Sequence, residues 1–177
     1  MKKTSVIGLA LLGCVAQAQA ASTGTITFSG NVTTTTCDVL VNGQETNGNV
    51  ALPTISESQL SVMSWTAGRT AFELKLQGCQ GALKTATAFF EAGPGVDASG
   101  RLRNLTGTAK NVALQLHEGS GTGNPIVAGS SSQVANATYY TLTNGTATLP
   151  YTVEYYATGA ATAGSVVSNV VYSLQYK

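Results

Sequence analysis

The sequence of 177 residues has few of the side chains from which catalytic and metal-binding sites are usually built. It contains one histidine, His117, and its eight acidic residues are scattered along the chain. Nucleophilic catalysis needs a base beside the nucleophile, and a structural zinc ion needs four sulfur or nitrogen ligands. We predict that His117 is a solvent-facing turn residue. The sequence therefore indicates no enzyme, no metal site and no cofactor.

Charge is also scarce, since charged residues make up 10% of the chain and the net charge is +1. The sequence has no cluster of lysine and arginine, which proteins need to neutralise nucleic-acid phosphates or anionic lipids. We therefore expect no nucleic-acid partner. Threonine, serine, asparagine, glycine and alanine are abundant instead. Polar faces built from threonine and serine favour β-structure.

The main apolar run, residues 6–15, is too short to span a bilayer as a permanent helix. It follows two lysines and precedes Ala18-Gln19-Ala20, which has the small-x-small pattern of a signal-peptidase site. We predict a signal peptide over residues 1–20. An alternative is that "LLGC", residues 11–14, is a lipoprotein box in which Cys14 carries the lipid.

Cysteine is the third scarce residue type, with three in the whole chain. Removal of the predicted signal peptide would leave two, Cys37 and Cys79, in a protein exported to an oxidising compartment. Paired cysteines in that setting form disulfides by default. We therefore predict a bond between Cys37 and Cys79.

Apolar and polar residues alternate strictly from Thr23 to Val32, which is typical of a strand with one apolar face. That face consists of Gly24, Ile26, Phe28, Gly30 and Val32. Further strand patterns occur at residues 71–79, 85–93, 101–105, 111–119, 138–156 and 165–177.

Turn and helix signals complete the pattern. Asn144-Gly145 is predicted to be the turn of a hairpin. Residues 56–63 are predicted to form one or two helical turns, and the Gly/Ser-rich residues 119–132 a loop. The sequence as a whole predicts a single all-β sandwich domain with antiparallel strands.

The chain resembles the major subunits of chaperone–usher pili, and the type 1 fimbrial pilins in particular. The resemblance spans nearly the whole sequence. It is carried by "GTITFSGNV" before the first cysteine, the Cys37–Cys79 spacing, "NGTATLPYTVEYYATGAATAG", and "VVYSLQYK" with its penultimate tyrosine.

This resemblance implies an incomplete immunoglobulin-like sandwich that lacks its final strand, at residues 36–177, preceded by an N-terminal donor-strand extension at residues 21–35. The apolar face of the extension would complete the sandwich of a neighbouring subunit by strand addition. The expected acceptor is a groove beside the C-terminal strand, which a periplasmic chaperone strand would occupy before assembly. Its expected residues are Val170, Tyr172, Leu174 and Tyr176.

The implied function is that of a structural subunit of an adhesive fimbria. Its partners would be neighbouring pilin subunits, the periplasmic chaperone and the outer-membrane usher. It would reach the bacterial surface through the periplasm. Two alternatives stay open at this point: a minor or adaptor subunit of the same kind of fibre, and a self-contained secreted β-sandwich that binds carbohydrate or protein.

Overall fold

The computed structural model describes residues 25–121 and 123–177. The predicted signal peptide and Gly24 lie outside the described residues. Residues 25–31 belong to an N-terminal unit and residues 32–177 to a second unit. No helix in the described part of the chain is long and apolar enough to cross a membrane.

The described part of the N-terminal unit, residues 25–31, contains no helix or strand, and each of its residues is exposed. The alternating pattern therefore forms no strand within the single chain. A strand is stable only when a neighbouring strand takes up its backbone N–H and C=O groups.

The second unit contains two antiparallel sheets. A five-stranded sheet has the order β1-β2-β7-β5-β4, and a three-stranded sheet has the order β6-β3-β8. The strands are β1 Thr36–Val41, β2 Thr66–Gln80, β3 Thr85–Phe90, β4 Leu102–Arg103, β5 Val112–Glu118, β6 Tyr140–Thr141, β7 Ala147–Ala157 and β8 Tyr172–Tyr176. Among the described residues, the remaining elements are a 3-10 turn at Glu57–Leu60 and a short helix α1 at Ser132–Asn136. The all-β prediction is confirmed.

The core lies between the sheets and follows the alternation in the sequence. On β2, Leu74 and Leu76 are each 1% exposed, whereas Lys75 between them and Gln77 after them are exposed. Tyr151 of β7 is also fully buried. Its ring lies edge-on to Phe90 of β3 at 5.1 Å, and its hydroxyl accepts a hydrogen bond from the Ala88 N–H at 3.1 Å. One side chain thus connects the two sheets by both apolar and polar contacts.

The predicted hairpin around Asn144-Gly145 is only partly correct. Both residues have positive φ, 49° and 72°, as a two-residue turn of this type requires. Thr143 and Thr146 exchange backbone hydrogen bonds across the turn. Beyond that bridge the arms separate, because β6 joins the three-stranded sheet and β7 joins the five-stranded one. The prediction of a regular hairpin was wrong.

The prediction for His117 was also wrong. His117 lies on β5 with 7% of its surface exposed, and its Nε2 is 2.9 Å from Oε1 of Glu154. Arg69 donates two hydrogen bonds to the same carboxylate, at 2.8 and 2.9 Å. Burial alone raises the pKa of Glu154. The hydrogen bonds and the charge of Arg69 oppose this effect, and so do the charge and the hydrogen bond of His117. Together they lower the pKa of Glu154 below its ordinary value. The histidine is part of a buried polar cluster.

Candidate strand-acceptor groove

β8 is an edge strand that hydrogen-bonds on one side to β3 and has no strand on its other side among the described residues. The Glu91 N–H donates to the Val171 carbonyl at 2.8 Å, and Lys177 and Thr85 exchange two bonds of 3.0 Å. Because backbone direction alternates along an antiparallel strand, the odd-numbered residues of β8 direct their N–H and C=O groups to β3. The even-numbered residues direct theirs to the open edge.

The same even-numbered residues turn their side chains toward the core. Tyr172, Leu174 and Tyr176 are half-buried and pack against the core between the sheets, as does Val170 just before the strand. The groove residues predicted from the sequence are thus brought together along one edge. Val166 also packs against this core, but residues 165–171 form no strand, so the final strand is shorter than predicted.

The opposite wall is β1, which is the edge strand of the five-stranded sheet. Asn42 donates its N–H to the Glu73 carbonyl, so alternation directs the backbone groups of Val39 and Val41 to the free edge of β1. Part of that edge is already occupied. The Val41 N–H donates to the Glu45 carbonyl at 3.0 Å, and the Thr46 hydroxyl donates to the Val39 carbonyl at 3.1 Å.

Cavities follow one another between these walls. The first, of about 420 Å³, lies between β1 and β8 and is lined by residues that include Cys37, Val39, Leu174 and Tyr176. The second, of about 350 Å³, reaches down to Leu114 and Val153 in the floor of the five-stranded sheet.

A third cavity, also of about 350 Å³, is lined by Val112 and Tyr155, and by Val166 before β8. Val112 and Tyr155 lie two residues along their strands from Leu114 and Val153, the floor of the second cavity, so the cavities continue along one face of the sheet. We call the row of three cavities the acceptor groove.

The first two cavities have no charged lining residue. Burial raises the pKa of the Tyr172 phenol, and it also raises that of Tyr176, where a hydrogen bond with the Cys37 backbone opposes the shift. Both phenols are therefore neutral at physiological pH. The groove is suited to apolar side chains from an extended chain with unpaired backbone groups.

The predicted disulfide is present, and it lies beside the groove. Cys37 at the start of β1 is bonded to Cys79 near the end of β2, and the two are 42 residues apart in sequence. A crosslink across a loop of this length stabilises a domain by about 4 kcal/mol in chain-entropy terms. The bond holds the β1 wall against the sheet.

Apolar side chains of the N-terminal segment are exposed in the single chain. Ile26 is 77% exposed and Phe28 is 88% exposed, and Val32 is fully exposed. At Gly30, an added Cβ would meet no atom within 4 Å. These residues of the predicted donor strand are free of packing, and Gly24 lies outside the described residues.

The sequence did not predict the β1 wall, nor the residues Glu45 and Thr46 that occupy part of its free edge. The apolar and β-branched residues of "CDVLV", residues 37–41, are a strand signal that could have identified β1. Thr46 carries no such signal, because it lies in a polar loop and its role depends on the fold.

Comparison with known proteins agrees with this architecture. Residues 52–177 match the family described as type-1 fimbrial protein, A (FimA). The major fimbrial subunit SMF-1 of Stenotrophomonas maltophilia is 39% identical over 171 residues, which cover 94% of this chain and 99% of that protein. The F17 fimbrial protein of Escherichia coli is 34% identical, with 94% and 97% covered.

Among solved structures, the P pilus rod subunit PapA superposes with a TM-score of 0.61 at 19% identity. The match covers 80% of this chain and 99% of that one. At this identity the likeness shows a shared fold, the immunoglobulin-like pilin sandwich. With the family match over most of the chain and a relative at 39% identity, the sequence and the fold together show that the chain belongs to the type-1 fimbrial protein family of pilus subunits.

Proposed function

We propose that this subunit polymerises by donor-strand exchange and forms the shaft of an adhesive fimbria. The extension at residues 21–35 would insert into the acceptor groove of the next subunit, with Gly24, Ile26, Phe28, Gly30 and Val32 directed to its core. The groove of residues 36–177 would be built on Val170, Tyr172, Leu174 and Tyr176. The observation that carries the proposal is the open, inward-facing apolar edge of β8.

The dimensions of the two parts support the proposal. At about 3.3 Å per residue, the segment from Gly24 to Val32 would extend over roughly 26 Å. β8 alone accounts for about half of that length, and the cavity lined by Val166 and Val112 continues the groove. The five alternate positions of the extension would therefore fill more than the site beside β8.

The energetics also support it. Each of the side chains of Ile26, Phe28 and Val32 would contribute roughly 1.5–3 kcal/mol to the binding free energy when it is buried in the groove. Backbone bonds to the even-numbered residues of β8 would satisfy groups that an open edge leaves to water. Gly30, which has no side chain, fits a shallow part of the groove where two backbones approach closely. Because donor and acceptor are different surfaces of one chain, the contact repeats head to tail, and it gives an open filament when its rotation does not close a ring.

The route to the surface follows from the same parts. Residues 1–20 would direct export and be removed, and a periplasmic chaperone would cover the groove with a strand of its own until an outer-membrane usher brings subunits together. The chain would act through this assembly and not as an enzyme.

Size-exclusion chromatography of the mature chain tests the proposal. We expect the chain from residue 21 to polymerise or to require a chaperone. A chain from residue 36 should not polymerise, and it should bind a peptide of residues 21–35 as a one-to-one complex. A mature chain that is a stable monomer, with its first segment packed in its own domain, would refute donor-strand exchange. Mass spectrometry of the N-terminus distinguishes cleavage after Ala20 from acylation of Cys14.

A further inference from the structure

A hydrogen bond crosses the acceptor groove in the free subunit. The Tyr172 hydroxyl on β8 donates to the Thr46 carbonyl at 2.9 Å. Thr46 is itself fixed to the other wall, because its hydroxyl donates to the Val39 carbonyl of β1. The chain of contacts from Tyr172 through Thr46 to Val39 therefore joins the two edges between which a donor strand would insert. We call Thr46 and Tyr172 the latch.

The latch also divides the groove. Thr46, Asn47, Val170 and Tyr172 line both the first and the second cavity. The Tyr172 ring and the loop around Thr46 thus form the partition between two adjacent spaces. A side chain can enter either cavity with the latch closed, but an extended strand that fills both must pass the partition.

We propose that the latch is an autoinhibitory contact that slows the entry of a donor strand into the free groove. This inference rests on the proposed function. A strand that pairs with the open edge of β8 needs the backbone groups of Tyr172. A strand that also reaches β1 needs the edge positions now taken by Glu45 and Thr46. Opening the latch is a step that insertion must include.

The chain offers a matched control. The hydroxyl of Tyr156 on β7 also donates a hydrogen bond of 2.9 Å, to the Ser64 hydroxyl. Tyr156 lines none of the three cavities. Tyr156→Phe therefore removes a hydroxyl contact of the same length away from the groove. Thr46→Val is a second test variant, because it removes the bond to Val39 and keeps the side-chain shape.

The experiment measures the rate at which dilute mature subunit takes up a fluorescent peptide of residues 21–35, present in large excess. Loss of one hydrogen bond should raise the uptake rate of Tyr172→Phe about two- to tenfold. Thr46→Val should change in the same direction, and Tyr156→Phe should match wild type. Urea unfolding of each free variant shows that the domain is intact.

Equal uptake rates for Tyr172→Phe, Thr46→Val and wild type would overturn the latch and leave donor-strand exchange standing. The same acceleration in Tyr156→Phe would also overturn the latch, because the faster uptake would then come from a loss of stability anywhere in the domain. If wild type and all variants take up no peptide, the proposed function fails and the inference fails with it.

Discussion

Substitution of Phe28 tests whether the donor strand packs in a neighbouring subunit and not in its own domain. The Phe28 side chain is 88% exposed in the single chain, so Phe28→Ala should leave the stability of the free subunit almost unchanged. In a neighbour's groove the same change would remove a buried aromatic ring. Such substitutions destabilise by about 3 kcal/mol or more, which is roughly a hundredfold in affinity.

The assay compares three peptides of residues 21–35 in competition for one subunit: the natural sequence, Phe28→Ala and Ser29→Ala. Ser29 lies on the polar face of the alternating segment, so its truncation should alter affinity less than about twofold. Urea unfolding of the mature chain with each substitution gives the second half of the comparison. A loss of subunit stability equal to the loss of affinity, or equal affinity for the two variant peptides, would refute the donor assignment.

Three further predictions concern the domain itself. Replacing Cys37 and Cys79 by alanine should lower the free energy of unfolding by about 4 kcal/mol, measured in urea with and without reductant; equal midpoints for variant and reduced wild type are the control. Arg69→Met should destabilise the domain by about 3 kcal/mol, because it leaves the buried Glu154 carboxylate without its main partner. Lys75 is exposed, so Lys75→Met is the control and should have little effect on stability. Equal losses of stability in the two variants would contradict this prediction. The lowered pKa of Glu154 gives stability that is complete above its ordinary value of 4.5 and is lost as pH falls through the folded value. Acid titration of stability should therefore be shallower in Glu154→Gln, and an unchanged slope would rule out this carboxylate as the cause.

The sequence predicts the parts of the fold that depend on period-two patterns. Leu74 and Leu76 are buried because each alternates with polar neighbours, and the even-numbered residues of β8 face the core for the same reason. The Asn144-Gly145 turn forms as predicted, since positive φ is a local property. Which sheets its arms join is decided by distant strands, and so the hairpin prediction failed.

The buried cluster and the latch could not be predicted in this way. His117 is polar and next to glycine, which favours a turn, but β5 is covered on both faces and Glu154 lies on the adjacent strand. Thr46 contacts Tyr172 across 126 residues of sequence. Contacts of this kind follow from the packing of the sheets and leave no periodic signal.

The latch links the stability of the free subunit to its capacity for assembly. Natural proteins usually protect an open sheet edge with charge, proline or a covering segment, and the first two cavities of this groove have no charged lining residue. Among the described residues, the loop at Glu45 and Thr46 is therefore the main protection of the free edge of β1. A substitution that strengthened this covering would stabilise the monomer and slow strand entry, and one that removed it would expose the edge to unspecific pairing. The bond from Tyr172 to Thr46 is one weak contact across the groove. Under the proposed function it would help to cover the edge in the free subunit and would still open for a donor strand.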